Sequence, residues 1–145
     1  MLAKPSLTLK RRIKAAPEKI FAAWTDPQKL AQWFGPADTV AGSVEALVDV
    51  RVGGRYQMRF RGTSGEQHQV GGEYREVVPD RRLVFTWAWQ TTPERQSLVT
   101  ITIVPDGEGS LFTLQHEQFF DAAARDGHER GWTGTLEKLD RYLTL

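Results

Sequence analysis

Residues 128–143 read HERGWTGTLEKLDRYL, and the fold turns on how this stretch is read. His128, Trp132, Leu136, Leu139 and Leu143 fall at spacings of four, four, three and four, so on a helix they share one face. Glu129, Glu137, Asp140 and Arg141 fall on other faces and should meet water. A helix with one apolar stripe must bury that stripe against something. The rest of the chain has to supply the covering surface.

The preceding region supplies it. From Ser43 to Phe120 the apolar period changes to two, as in Tyr56, Met58, Phe60, then Leu83, Phe85, Trp87, Trp89, then Val99, Ile101, Ile103. Strands are predicted over Ser43–Val52, Arg55–Arg61, His68–Val78, Arg82–Gln90, Ser97–Val104 and Ser110–Phe119. Between them stand turn formers: Gly53-Gly54, Thr63-Ser64-Gly65, Pro79-Asp80 and Pro105-Asp106-Gly107-Glu108-Gly109. Connections this short join antiparallel neighbours, because parallel pairs need long crossovers.

Upstream, Leu7, Leu9 and Ile13 alternate with Thr8, Lys10 and Arg12, which predicts a strand over 7–13 whose apolar phase Arg11 breaks. Two short helices should follow. Pro17 suits a first helical position, with Ile20, Phe21 and Trp24 on one face. Asp26-Pro27 restarts the chain with a capping carboxylate, Leu30, Trp33 and Phe34 form the next stripe, and Gly35-Pro36 ends it. The order is strand, two helices, six strands, long helix. This is an α+β arrangement in which a seven-stranded antiparallel sheet curls its apolar face around the C-terminal helix, ending near Tyr142.

The 145 residues fit one domain, 1–145, and a chain of that length buries about 68–70% of its unfolded surface. With 19 basic and 18 acidic residues the formal net charge is +1, which leaves no electrostatic footprint for nucleic acid or an anionic membrane. Arg55, Arg59 and Arg61 read as a solvated strand face. There is no cysteine, so disulfides, thiolate metal sites and a cysteine nucleophile are excluded. The N-terminus lacks the apolar run of a signal peptide and no stretch approaches membrane-span length, so a cytoplasmic location is expected.

Few residues announce chemistry. Of the three histidines, His116 lies on a strand of mixed phase; pointing inward with Leu114, it is either a polar anchor or general base, or a histidine hydrogen-bonded in the core. His128 is expected at a rim and His68 beside an exposed turn. His116 and Glu117 point to opposite faces of their strand and cannot chelate together, so no metal site and no cofactor are expected. Trp33, Trp87, Trp89 and Trp132 suit a cup for a flat apolar or aromatic ligand, or simply a packed core. The cup is expected near the middle of the sheet, lined by Trp33, Met58, Tyr74, Trp87, Val99, His116, Trp132 and Leu136. Gly127, Gly131 and Gly134 form a stripe on the last helix, which serves close approach of the sheet or leaves room beside Trp132. Between Gly131 and Gly134 the indole of Trp132 is expected to have space to swing.

The ensemble of motifs resembles a known family. Ala16-Pro17-Glu18-Lys19-Ile20-Phe21 with Trp24, Asp26-Pro27 and Leu30 to Trp33 carry the likeness in the first part of the chain. Asp49-Val50-Arg51-Val52-Gly53-Gly54-Arg55-Tyr56, Gly72-Glu73-Tyr74, Leu83-Val84-Phe85-Thr86-Trp87, Val99-Thr100 and Gly131-Trp132-Thr133-Gly134-Thr135-Leu136 with Leu139 carry it further. In this order they resemble the helix-grip (START-like, birch-pollen-allergen-like, SRPBCC) superfamily. Within it they are most similar to the group named for homology to the activator of the heat-shock protein 90 ATPase. The resemblance implies the helix-grip fold strongly and function weakly, since many members are bacterial single domains without a demonstrated chaperone partner. It implies binding of a small apolar or amphipathic ligand. A small enzyme using His116 in the same cup, and an interaction domain with a homodimer or protein partner, are the other expectations.

Overall fold

The computed structural model describes residues 4–144. Its elements are β1 (Leu7–Ile13), α1 (Pro17–Thr25), α2 (Pro27–Trp33), β2 (Glu45–Val48), β3 (Arg55–Arg61), β4 (Gln67–Val78), β5 (Arg82–Trp89), β6 (Ser97–Asp106), β7 (Gly109–Glu117) and α3 (Ala122–Thr144). The seven strands form one antiparallel sheet in the order β1-β7-β6-β5-β4-β3-β2. The helix-grip architecture is therefore present, with α3 packed on the apolar face.

Several boundaries differ from the periodicity reading: β4 begins at Gln67, β5 ends at Trp89, β6 runs on to Asp106, and β7 spans Gly109–Glu117 rather than Ser110–Phe119. β2 is limited to Glu45–Val48, not Ser43–Val52, because the Asp49 N–H bonds Arg55 and the chain turns through Arg51 to Gly54. α3 runs on to Thr144, one turn's fraction beyond Tyr142. The two short helices begin as their prolines dictate: Pro17 opens α1, and the Asp26 carboxylate accepts from the Gln28 and Lys29 amides to cap α2.

The mixed phase of β7 resolves with Phe112, Leu114 and His116 all buried. Arg11, which interrupts the apolar phase of β1, reaches across to Asp140 of α3 at 2.9 Å and so ties the edge strand to the helix. Gly72 answers a close approach. A Cβ there would lie 2.0 Å from the Thr86 carbonyl oxygen, and that same oxygen accepts the Tyr56 hydroxyl at 2.6 Å from across β4. The neighbouring bulge between Tyr74 and Glu76 adds to the local irregularity.

Candidate functional site: an aromatic cavity between α3 and the sheet

The interior is organised around two histidines with settled tautomers. An indole N–H only donates, so Trp132 Nε1, 3.0 Å from His116 Nδ1, makes that nitrogen the acceptor. His116 Nε2–H then donates to Ser97 Oγ at 2.7 Å, and the Ser97 hydroxyl donates to the Trp87 carbonyl at 3.2 Å. His128 repeats the pattern nearer the surface. Trp89 Nε1 donates to its Nε2 at 3.0 Å, and its Nδ1–H meets the Ala124 carbonyl at 2.7 Å.

Both rings are held neutral. Burial, with a smaller contribution from the neighbouring His128 ring, pushes His116 down to about 2. Burial also lowers His128, against an opposing pull from the Ala124 carbonyl. With each lone pair already engaged, neither imidazole is free to take a substrate proton. Of the two readings of His116, the core histidine fits this geometry and the general base does not. Nor is Trp132 free to swing: its indole is pinned to His116, and it packs 5.1 Å from Trp87 and 6.1 Å from Trp24 between ring centroids.

A cavity of about 430 Å³ opens between the first half of α3 and the ends of β3, β4 and β5. Phe34, Phe60, Trp87, Trp89 and Trp132 wall it, Ala124, Gly127 and Gly131 give it a floor of nearly bare helix, and His68, Thr91 and His128 add polar groups. Pro36 stands at one side. The loop carrying Phe34 and Pro36 is clamped by Lys138, whose Nζ donates to the carbonyls of Phe34, Gly35 and Pro36 at 3.1–3.4 Å. An ammonium placed at the carbonyl end of α2 complements the helix dipole, and burial lowers its pKa.

The eight residues expected around one mid-sheet cup share one buried core but not one cavity. Trp87 and Trp132 border the 430 Å³ space. Met58, Tyr74 and Trp87 border a separate gap of about 20 Å³, scarcely larger than a water molecule requires. Trp33, Val99, His116 and Leu136 are packed against neighbours and border neither. The middle of the sheet is filled because Trp24, Trp33, Phe34, Trp87 and Trp132 converge there with ring centroids 4.7–6.4 Å apart. Phe60 and Trp89 were legible as inward phase and Phe34 as part of the stripe with Leu30 and Trp33; Thr91 lies beyond the end of β5, where periodicity gives no direction.

The glycine stripe divides between its two explanations. A Cβ on Gly131 would meet nothing within 4 Å, whereas one on Gly134 would lie 3.1 Å from the Ala37 amide nitrogen. Gly131 leaves room and Gly134 permits close approach of the loop after α2. Gly131→Ala is therefore expected to raise stability by about 0.5–1 kcal/mol through helix propensity. Gly134→Ala should gain less, since crowding against Ala37 offsets the same propensity. Paired thermal melts check this, and a larger gain for Gly134→Ala would reverse the assignment.

Among the described residues, no group of three or more His, Asp or Glu side chains is placed to hold a metal ion, and no helix is long and apolar enough to cross a membrane.

The fold has counterparts in known proteins. A protein from Chromobacterium violaceum, CV1439, superimposes with a TM-score of 0.83 at 30% identity, over 97% of this chain and 99% of its own. The AHSA1 protein from Silicibacter pomeroyi gives 0.79 at 30% identity, over 96% and 97%. The human activator of 90 kDa heat shock protein ATPase homolog 1 is 24% identical over 127 residues, covering 87% of this chain. The chain spans about a third of that relative's length, 33%. The model of the Activator of Hsp90 ATPase homolog 1-like protein family matches residues 14–144, and the chain belongs to that family.

Proposed function

We propose that this protein binds a small apolar or amphipathic molecule in the cavity between α3 and the ends of β3, β4 and β5. One observation carries the reading: about 430 Å³ of space walled by five aromatic side chains within an otherwise closely packed core. That volume and lining fit the range of small-molecule sites. His68 and Thr91 at the mouth suit the polar end of an amphipathic ligand. The near-balanced charge and lack of cysteine fit work in the cytoplasm.

A second reading rests on likeness alone. The human relative is by name an activator of a heat shock protein ATPase, so a protein partner, or a second copy of this chain, is the competing role. Native mass spectrometry of protein purified from its own host separates the two. Binding predicts a retained small organic mass that an apolar fluorescent probe such as Nile red displaces. Protein with no retained mass and no affinity for Nile red would end the binding reading, and a co-purified polypeptide of defined stoichiometry would favour the partner.

A further inference from the structure

We infer that the cavity selects a planar, uncharged aromatic ring system, and that the bare floor at Gly127 and Gly131 makes the selection. The inference rests on the binding reading above. The floor residues Ala124, Gly127 and Gly131 follow one stripe of α3. Packing does not demand glycine at either position. A Cβ on Gly131 meets open space, and one on Gly127 meets only the Arg130 Nη2 at 3.8 Å. Two interior glycines weaken a helix, and what they create here is a bare surface beside the rings.

The aromatic wall beside this floor is fixed in shape. Trp87 lies 5.5 Å from Trp89 at 88° and 5.1 Å from Trp132 at 49°, between ring centroids. Trp132 is tied to His116 and Trp89 to His128, so two of these three indoles cannot rotate without breaking a hydrogen bond. A bare floor beside fixed aromatic rings leaves ring faces and edges open to a guest, and these favour an aromatic ring over a saturated one of equal carbon count. Aromatic faces and edges reward such a guest beyond simple burial.

The lining also selects against charge. No Asp, Glu, Lys or Arg side chain borders the cavity, so a charged guest would lose water without gaining a counter-ion.

The test is a calorimetric titration with four probes: 2-naphthol, decahydro-2-naphthol, 1-decanol and naphthalene-2-sulfonate. We expect 2-naphthol to bind about tenfold more tightly than each of the others. Gly131→Leu should weaken 2-naphthol about tenfold without lowering the melting temperature, and Gly131→Ala should weaken it less. If the saturated or flexible alcohol binds as well as 2-naphthol, selection for an aromatic ring is wrong while binding stands. Unchanged 2-naphthol affinity in a folded Gly131→Leu protein overturns the role of the floor. If none of the four probes binds, and Nile red does not either, the binding reading itself falls.

Discussion

Trp132→Ala is expected to remove about 4–8 kcal/mol of folding stability, enough to unfold most of the population at room temperature if the domain is ordinary in its total. Two effects combine. The indole is 4% exposed, and truncating a buried tryptophan costs about 3–5 kcal/mol through lost burial and residual cavity. The change also strips His116 Nδ1 of its donor deep in the core, which costs about a further 1–3 kcal/mol. Trp132→Phe helps separate them, since it keeps much of the apolar volume while losing the N–H and part of the ring system. Urea denaturation should therefore place Trp132→Phe between wild type and Trp132→Ala. A loss under about 2 kcal/mol for the alanine variant would show that the indole neither fills the core nor anchors the histidine, against the expected cost of such a truncation.

The second large effect is loss of stability in mild acid. His116 titrates near 6.5 in the unfolded chain and is pushed down to about 2 in the folded one. A depressed folded pKa means that the unfolded state binds the proton first. The contribution of His116 is then complete above pH 6.5 and is lost as pH falls from there toward the folded value. The slope is about 1.4 kcal/mol per pH unit, so pH 5 should cost about 2 kcal/mol relative to neutrality. His128, also depressed, adds to this with the same sign. Urea midpoints measured at half-unit steps from pH 7.5 to 5 give the slope directly. In His116→Gln, which cannot protonate, the curve should flatten by about 1.4 kcal/mol per unit below pH 6.5 and change little above it. An equal slope in the variant would place the titrating group elsewhere.

Much of the architecture was legible before any coordinate. The period of two in Tyr56, Met58 and Phe60 and in Leu83, Phe85 and Trp87 reports which side of each strand meets the core, and all six are buried. The stripe from Trp132 to Leu143 does the same for α3. The prolines at 17 and 27 and the Asp26 cap set where the short helices begin. These are local signals, written within one element. The candidate site was legible only in part. Trp87 and Trp132 could be assigned inward, but strand phase says which face a side chain takes and not whether space remains beside it.

What the sequence determined by itself, then, is the set of elements, their inward faces and hence a sheet closed on a helix, because burial of apolar stripes leaves few other arrangements. Tertiary structure alone decided where that closure leaves a gap. Five aromatic side chains from α1, α2, the loop after α2, β5 and α3 meet and fill the centre, and the open volume is displaced to the end of the sheet where α3 carries Gly127 and Gly131. It also decided the role of His116. Whether a buried imidazole is a base or a strut depends on which donors reach its two nitrogens, and Ser97 and Trp132 come from positions 19 and 16 residues away in the chain. Residue patterns encode facing directions, which are local, whereas cavities and hydrogen-bond partners depend on distances between elements that only the assembled chain sets.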